Sequence, residues 1–346
     1  MLNTASLNMQ SSGIRYTGFN GWTSLVNRLS NGNRFIAWNL HFYLATLIVT
    51  LAFLFIDTRI VTGQLVWMKP LKFAISILIY TLTMLWMVSF VDTQNRLKRW
   101  LVNMLITGTV IGFLVEMGGI WIQAFRGVRS HFNIGTTFDM TIFSLMGTFV
   151  VVIWAMNLVA ALLLLFERLP NKAFAWSLRW ALVLTFIGAG IAWLMTAPTV
   201  TQQQEIAQAL EGGPMPTLVG AHSVGVEDGG AGMPITGWST EGGDLRIPHF
   251  VGLHALQIIP LMGILIQRRY GQRNRKNRKL SENRQTALVW IGSLGYLGLT
   301  GILTWQALRG QPLIAPDALT LGSLGLLISA VALAWWLVSR QRVGIE

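Results

Sequence analysis

Apolar residues in this chain gather into eight blocks, at about 38–56, 71–91, 100–122, 141–166, 175–196, 249–267, 286–307 and 319–338. Each block is close to the ~20 residues that a helix needs to cross ~30 Å of hydrocarbon. The blocks are apolar on all sides, and in lipid a helix satisfies its own backbone hydrogen bonds. The pattern predicts an all-α, polytopic integral membrane protein of about eight transmembrane helices.

The polar stretches between blocks predict orientation. With the N-terminus inside, 19 of the 26 Lys and Arg residues fall on the cytoplasmic side, every inner segment is basic, and only Arg59, Lys69, Lys72, Arg126, Arg129, Arg246 and Arg309 fall outside. This positive-inside bias predicts both termini in the cytoplasm. The expected organisation is a cytoplasmic segment 1–37, helices 1–5 within 38–196, an extracytoplasmic loop 197–248, helices 6–8 within 249–338 with a basic cytoplasmic loop at 268–285, and a tail 339–346. A membrane of the bacterial inner (plasma) type is the expected location. The polar N-terminus has no apolar core and does not read as a secretory signal.

The loop 197–248 carries ten glycines between Gly212 and Gly243, with Pro214, Pro216 and Pro234. That composition predicts little regular secondary structure. Loops of such length are usually functional or disordered. Its scattered His222, Glu227, Asp228, Trp238, Asp244 and Arg246 suit a lid over the helix ends better than a flexible spacer.

Composition sharpens the picture. The chain is 53% hydrophobic and 12% charged with mean hydropathy +0.53, too few charges to cover a soluble fold of this length. The net charge of +12 sits between apolar spans rather than on one soluble face, so it argues for an anionic membrane surface and against nucleic acid. With no cysteine, disulfides, thiolate metal sites, iron–sulfur clusters and a cysteine nucleophile are excluded. No internal repeat and no Walker A, G-x-S-x-G, H-E-x-x-H or dinucleotide-binding fingerprint occurs in a usable context.

Nearly all unusual polar residues map to the outer ends of the spans. Glu116 is the sharpest, since an intramembrane carboxylate is costly and is a functional candidate by default. Gln123 shares its helix face. The competing reading pairs Glu116 with Lys69, Lys72 or Arg126 to lock helices together. Arg126 and Arg129 could grip an anionic small molecule or a lipid headgroup, or pair with Asp57, Glu116 or Asp139. Asp139 is a candidate catalytic carboxylate, but following Thr136 and Thr137 it reads more simply as a helix-terminal charge. His131, His249 and His254 are candidate haem or divalent-metal ligands or proton carriers, with Glu116 as a further metal ligand. Gln257 shares a face with His254 as a candidate cofactor contact, whereas His249 and His254 are not spaced as a helical zinc pair. The glycines of GSLGYLGLTG read as close helix packing.

Three functions follow. The first is a membrane-embedded metal- or haem-dependent enzyme or redox protein whose site opens outward. The second is a proton-coupled transporter of a small anionic solute, against which the opposite halves of the spans offer little beyond His41, Asn103 and Asn157. The third is a structural or assembly subunit of a membrane complex, in which the polar cluster joins helices.

Overall fold

The computed structural model describes residues 34–271 and 280–340. In chain order the helices are α1 (Arg34–Ile56), α2 (Met68–Val88), α3 (Arg96–Arg126), α4 (Thr137–Phe166), α5 (Lys172–Ile191, prolonged by a 3-10 turn Ala192–Thr196), α6 (Val200–Leu210), α7 (Arg246–Tyr270), α8 (Glu282–Leu308) and α9 (Ala318–Arg340). All except α6 are long and apolar enough to cross a membrane. The chain is an all-α, multi-pass integral membrane protein, with eight spans as its apolar blocks require.

Helices α3, α4 and α5 begin about a turn earlier than their apolar blocks do, because polar caps start them. Asn95 accepts from the backbone of Leu97 and Lys98, Thr136 from Asp139, and Asn171 from Phe174. Each satisfies amides that the first turn leaves without intrahelical partners. Hydropathy cannot register these turns.

The long loop is more regular than its glycines suggest. Before the first of them, TQQQEIAQAL forms α6, and Thr199 and Gln202 close a reciprocal capping box at its start. Beyond it the loop makes one short hairpin, β3 (Ser223–Val224) with β4 (Gly243–Asp244), and the α1–α2 connection makes another, β1 (Ile60–Val61) with β2 (Gln64–Leu65).

These connections share one end of the bundle. The Arg59 guanidinium donates to the carbonyls of Ala124 and Phe125 at the end of α3, and Lys72 at the start of α2 donates to Thr236 O in the long loop. The loop's Ala221 N donates to Met195 O after α5. The opposite end is tied by Lys98 to Glu167 at 2.5 Å and by Glu282, which accepts from Lys172 N. Residues 1–33, 272–279 and 341–346, which hold many of the basic residues behind the orientation count, lie outside the described residues.

Small residues set the closest helix contacts. On α3, Gly108, Gly112 and Gly119 face Met156, Ile153 and Met146 of α4. On α8, Gly295 and Gly298 face Val331 and Leu327 of α9, and Gly292 faces Met262 of α7. The tightest seam joins α5 and α7: a Cβ on Gly188 would overlap the backbone of Gly252, and Gly263 lies against Ser177. Without hydrophobic drive between spans, such close approach is what holds membrane helices together. Large side chains such as Phe55, Leu326 and Ile48 point outward, as lipid contact allows.

Gly188→Leu is expected to destabilise the folded protein by ~1–3 kcal/mol through overpacking. Gly301→Ala, where a Cβ meets nothing within 4 Å, should be neutral. Thermal unfolding of the two purified variants in detergent checks the contrast.

Candidate functional site

Glu116 lies ten residues before the end of α3, roughly 15 Å along the helix axis at 1.5 Å per residue. Only 3% of it is exposed. A carboxylate at that depth needs a partner from inside the bundle. The partner comes from the chain that follows α3. Gly127, in the left-handed region at φ 68°, caps the helix and turns the chain, and its amide and that of Val128 donate to Ala124 O and Gln123 O. The returning segment places His131 Nε2 3.1 Å from Glu116 Oε1.

On the other side of the ring, Lys69 Nζ lies 3.1 Å from His131 Nδ1, and Ser130 Oγ lies at the same distance. An ammonium has only protons to give. Nδ1 therefore accepts, Nε2 carries the ring proton, and Nε2 donates to Glu116. Burial pushes the His131 pKa below its ordinary value, Lys69 adds to that, and Glu116 opposes it, so the ring is neutral at pH 7. The three side chains form one chain of hydrogen bonds from the start of α2 to the middle of α3.

The segment holding His131 is fixed by the long loop. Ile134 N donates to Thr217 O and Val219 N to Phe132 O, both at 2.9 Å. Phe132 itself takes φ 63°, a left-handed conformation that costs an ordinary side chain roughly 1–2 kcal/mol. Its ring is buried against Phe143 and His222, which holds it there.

Around this relay the loop brings further charges. His222 Nδ1 donates to Asp228 Oδ2 at 2.8 Å, and the same carboxylate accepts from the amides of His222 and Ser223. Arg129 donates to Asp228 O, and Arg246 pairs with Asp244 at 2.5 Å. Lys72 donates to Gln64 Oε1 at 2.7 Å as well as to Thr236 O. Among the described residues, Lys69, Lys72 and Arg129 form no ion pair with a carboxylate. Arg129 and Asn133 also line an open pocket of about 310 Å³ with Val61 and Thr217.

The remaining candidates lie elsewhere in the contact network. Arg126 pairs with Asp139, whose carboxylate also accepts from Gln123 at 2.7 Å and from the Thr136 hydroxyl at 2.6 Å. That cluster, buried at Gln123 and Asp139, braces the end of α3 against the start of α4. His249 Nδ1 donates to Gly188 O at 2.8 Å across the α5–α7 seam. His254 meets Gln257 Oε1 at 3.1 Å, and Gln257 donates to Thr83 Oγ1 on α2. The three histidines thus have three separate sets of partners. Among the described residues, no group of three or more His, Asp or Glu side chains is placed to hold a metal ion.

Sequence reasoning missed Tyr43 of α1, which is fully buried near Glu116 and whose hydroxyl has no hydrogen-bond partner. The signal was present as a helical stripe of Asn39, Tyr43, Thr46 and Thr50, all buried on one face of an otherwise apolar helix. It also left Asp228 without a role, because a turn that wraps a carboxylate is not visible in spacing alone.

The His222–Asp228 turn gives the loop a pH dependence. Burial lowers the His222 pKa from 6.5 to about 4 despite Asp228, with Lys69 and Arg246 acting in the same direction as burial. The unfolded segment takes up a proton as pH falls through 6.5, whereas the folded one resists until about 4, so its stability falls across that window. Protection of amides in 217–246 against hydrogen exchange, taken relative to the intrinsic exchange rate at each pH, is expected to fall between pH 6.5 and 4.5, and His222→Gln should flatten the change. No protein-family model, no curated protein and no solved structure matches this chain, and the site is read from its own geometry.

Proposed function

We propose that the protein is a proton-coupled transporter of a small anionic solute, with the loop 197–248 as a lid and the lidded end facing outward. The observation that carries the reading is the Lys69–His131–Glu116 chain, which joins a cationic patch under the loop to a carboxylate inside the membrane. One proton can pass along it: Lys69 Nζ gives a proton to His131 Nδ1 as Nε2 gives its own to Glu116 Oε1. The ring ends neutral, the lysine neutral and the carboxyl protonated.

An anion held by Lys69, Lys72 and Arg129 stabilises the ammonium form of Lys69 and so holds the relay proton at the lysine end. Passage of that proton to Glu116 removes one of the three charges and weakens the grip. Solute occupancy and proton position are thereby linked, which is the requirement for coupling. The pocket beside Arg129 offers the solute a way in.

The metal- or haem-dependent enzyme reading has less behind it, because His131, His249 and His254 are directed at different partners. The helix-joining role fits Arg126 and Asp139, whose charges answer each other, better than it fits Lys69 and Lys72.

Reconstituted vesicles given an inward proton gradient are expected to accumulate more of at least one of radiolabelled sulfate, succinate or phosphate than empty vesicles do. Glu116→Gln, which keeps an acceptor for His131 but cannot titrate, should lower that uptake at least about tenfold, in line with loss of an acid–base group. Equal uptake by parent and variant, or no uptake of any of the three, would reject the reading.

A further inference from the structure

Glu116 uses one oxygen for His131, and its second, Oε2, is buried with no hydrogen-bond partner. It has company. The buried polar atoms without a partner in α1–α4 also include Tyr43 OH, Tyr80 OH, Thr109 Oγ1, Trp121 Nε1 and both side-chain polar atoms of Asn39 and Asn157. An unpartnered buried polar group costs ~1–3 kcal/mol, so a concentration of them in one half of a bundle calls for a reason.

Their placement gives one. Tyr43 packs in the same cluster as Met117, next to Glu116 in sequence, and lies close enough to feel its charge. The Tyr80 ring sits edge-on to Phe113 of that cluster at 5.2 Å, and its hydroxyl lies beside the Asn157 amide without hydrogen-bond geometry. Thr109 is seven residues from Glu116 on the same face of α3, about 10 Å further along the axis. Beside Asn39, Leu40 packs with Leu85 and Ile106 toward the end away from the loop. Glu116, Tyr43, Thr109, Tyr80, Asn157 and Asn39 thus step through α1–α4 from the relay to within five residues of the start of α1.

We infer that these side chains line a proton path across the membrane, continuing the Lys69–His131–Glu116 relay to the opposite end of the bundle. The inference rests on the relay reading above and adds the route to it. Amides and hydroxyls of this kind bind water in single file, and hydronium protons hop along such a file by exchanging O–H bonds. Glu116 is the one group on the path that holds the proton: it receives it from His131 Nε2, releases it to the water file and returns to the carboxylate, while the neutral Lys69 takes up a replacement proton and the His131 ring turns to put its remaining proton back on the Glu116 side. No oxidant or other reactant enters the step.

Pyranine-loaded vesicles containing the full chain, driven by a valinomycin-set potassium potential and measured both without solute and with succinate or phosphate outside, test the path. The parent is expected to pass protons faster than empty vesicles. Tyr80→Phe, which deletes one hydroxyl, and Asn157→Leu, which closes the file, should each slow the flux about fivefold, the effect of losing roughly one hydrogen-bonded site. Ser293→Ala removes an equally unpartnered hydroxyl on α8, away from the path, and should leave the flux unchanged. A parent no faster than empty vesicles would overturn the inference, as would a folded, monodisperse Tyr80→Phe that matches the parent. Anion uptake without this flux would reject the path alone, and flux through it without anion uptake would reject the solute reading alone.

Discussion

A carboxylate in the middle of a membrane helix must be answered from within the protein, and much of the end of this bundle that carries the long loop follows from how Glu116 is answered. Its partner cannot come from α3 itself. The chain has to leave the helix, reverse at a left-handed glycine and re-enter the bundle, which delivers His131 at 3.1 Å. A segment that dips into the bundle exposes its own amides and carbonyls there, and the loop's 217–219 stretch supplies partners for them. The long loop is thus bound to the carboxylate through the histidine that both of them hold.

The same requirement explains why two kinds of cation stand at this end. Arg126 and Arg246 each face a carboxylate on the neighbouring turn or helix, and Arg59 faces Asp57 in the same way. Hydrogen bonds from Arg59 and Trp67 hold the Asp57 carboxyl well below the usual carboxylate range. These pairs are internally complete. Lys69 and Lys72 instead face neutral atoms: an imidazole nitrogen, an amide oxygen and a backbone carbonyl. That asymmetry separates Lys69 and Lys72 from the cations that brace one element against another.

The spans were legible in the sequence because lipid demands long apolar runs, a constraint written into every block. Their ends were not, since Asn95, Thr136 and Asn171 cap the helices with polar residues that hydropathy counts as loop. The polar cluster at the end that carries the long loop was legible as a list, and Glu116 with Gln123 as one face of α3. The pairing within it was not: Gln123 belongs to Arg126 and Asp139, and Glu116 to His131, because partner choice depends on where the chain turns after Gly127. Asn157 stood out in the sequence with His41 and Asn103 as one of the few polar residues in the opposite halves of the spans, yet the hydroxyl beside it, Tyr80, comes from another helix, which no spacing within one helix reveals.

The bundle divides its labour along the chain. In α5, α7 and α8 the interior is closed by glycine and serine contacts at Gly188, Gly252, Ser177 and Gly263, and His249 there finds a carbonyl across the seam. Most of the buried side-chain polar atoms without partners among the described residues lie in α1–α4, with Trp180, Gln285 and Ser293 holding the others, although α3 and α4 also pack closely through Gly108, Gly112 and Gly119. A dry, close-packed seam resists rearrangement, whereas polar groups in excess of their partners keep an interior open to water. The long loop joins the two helices of that seam, from Met195 to Arg246, and is bonded across to Lys72 and to the segment that carries His131. A close-packed seam thus anchors both ends of the loop that holds the His131 segment in place.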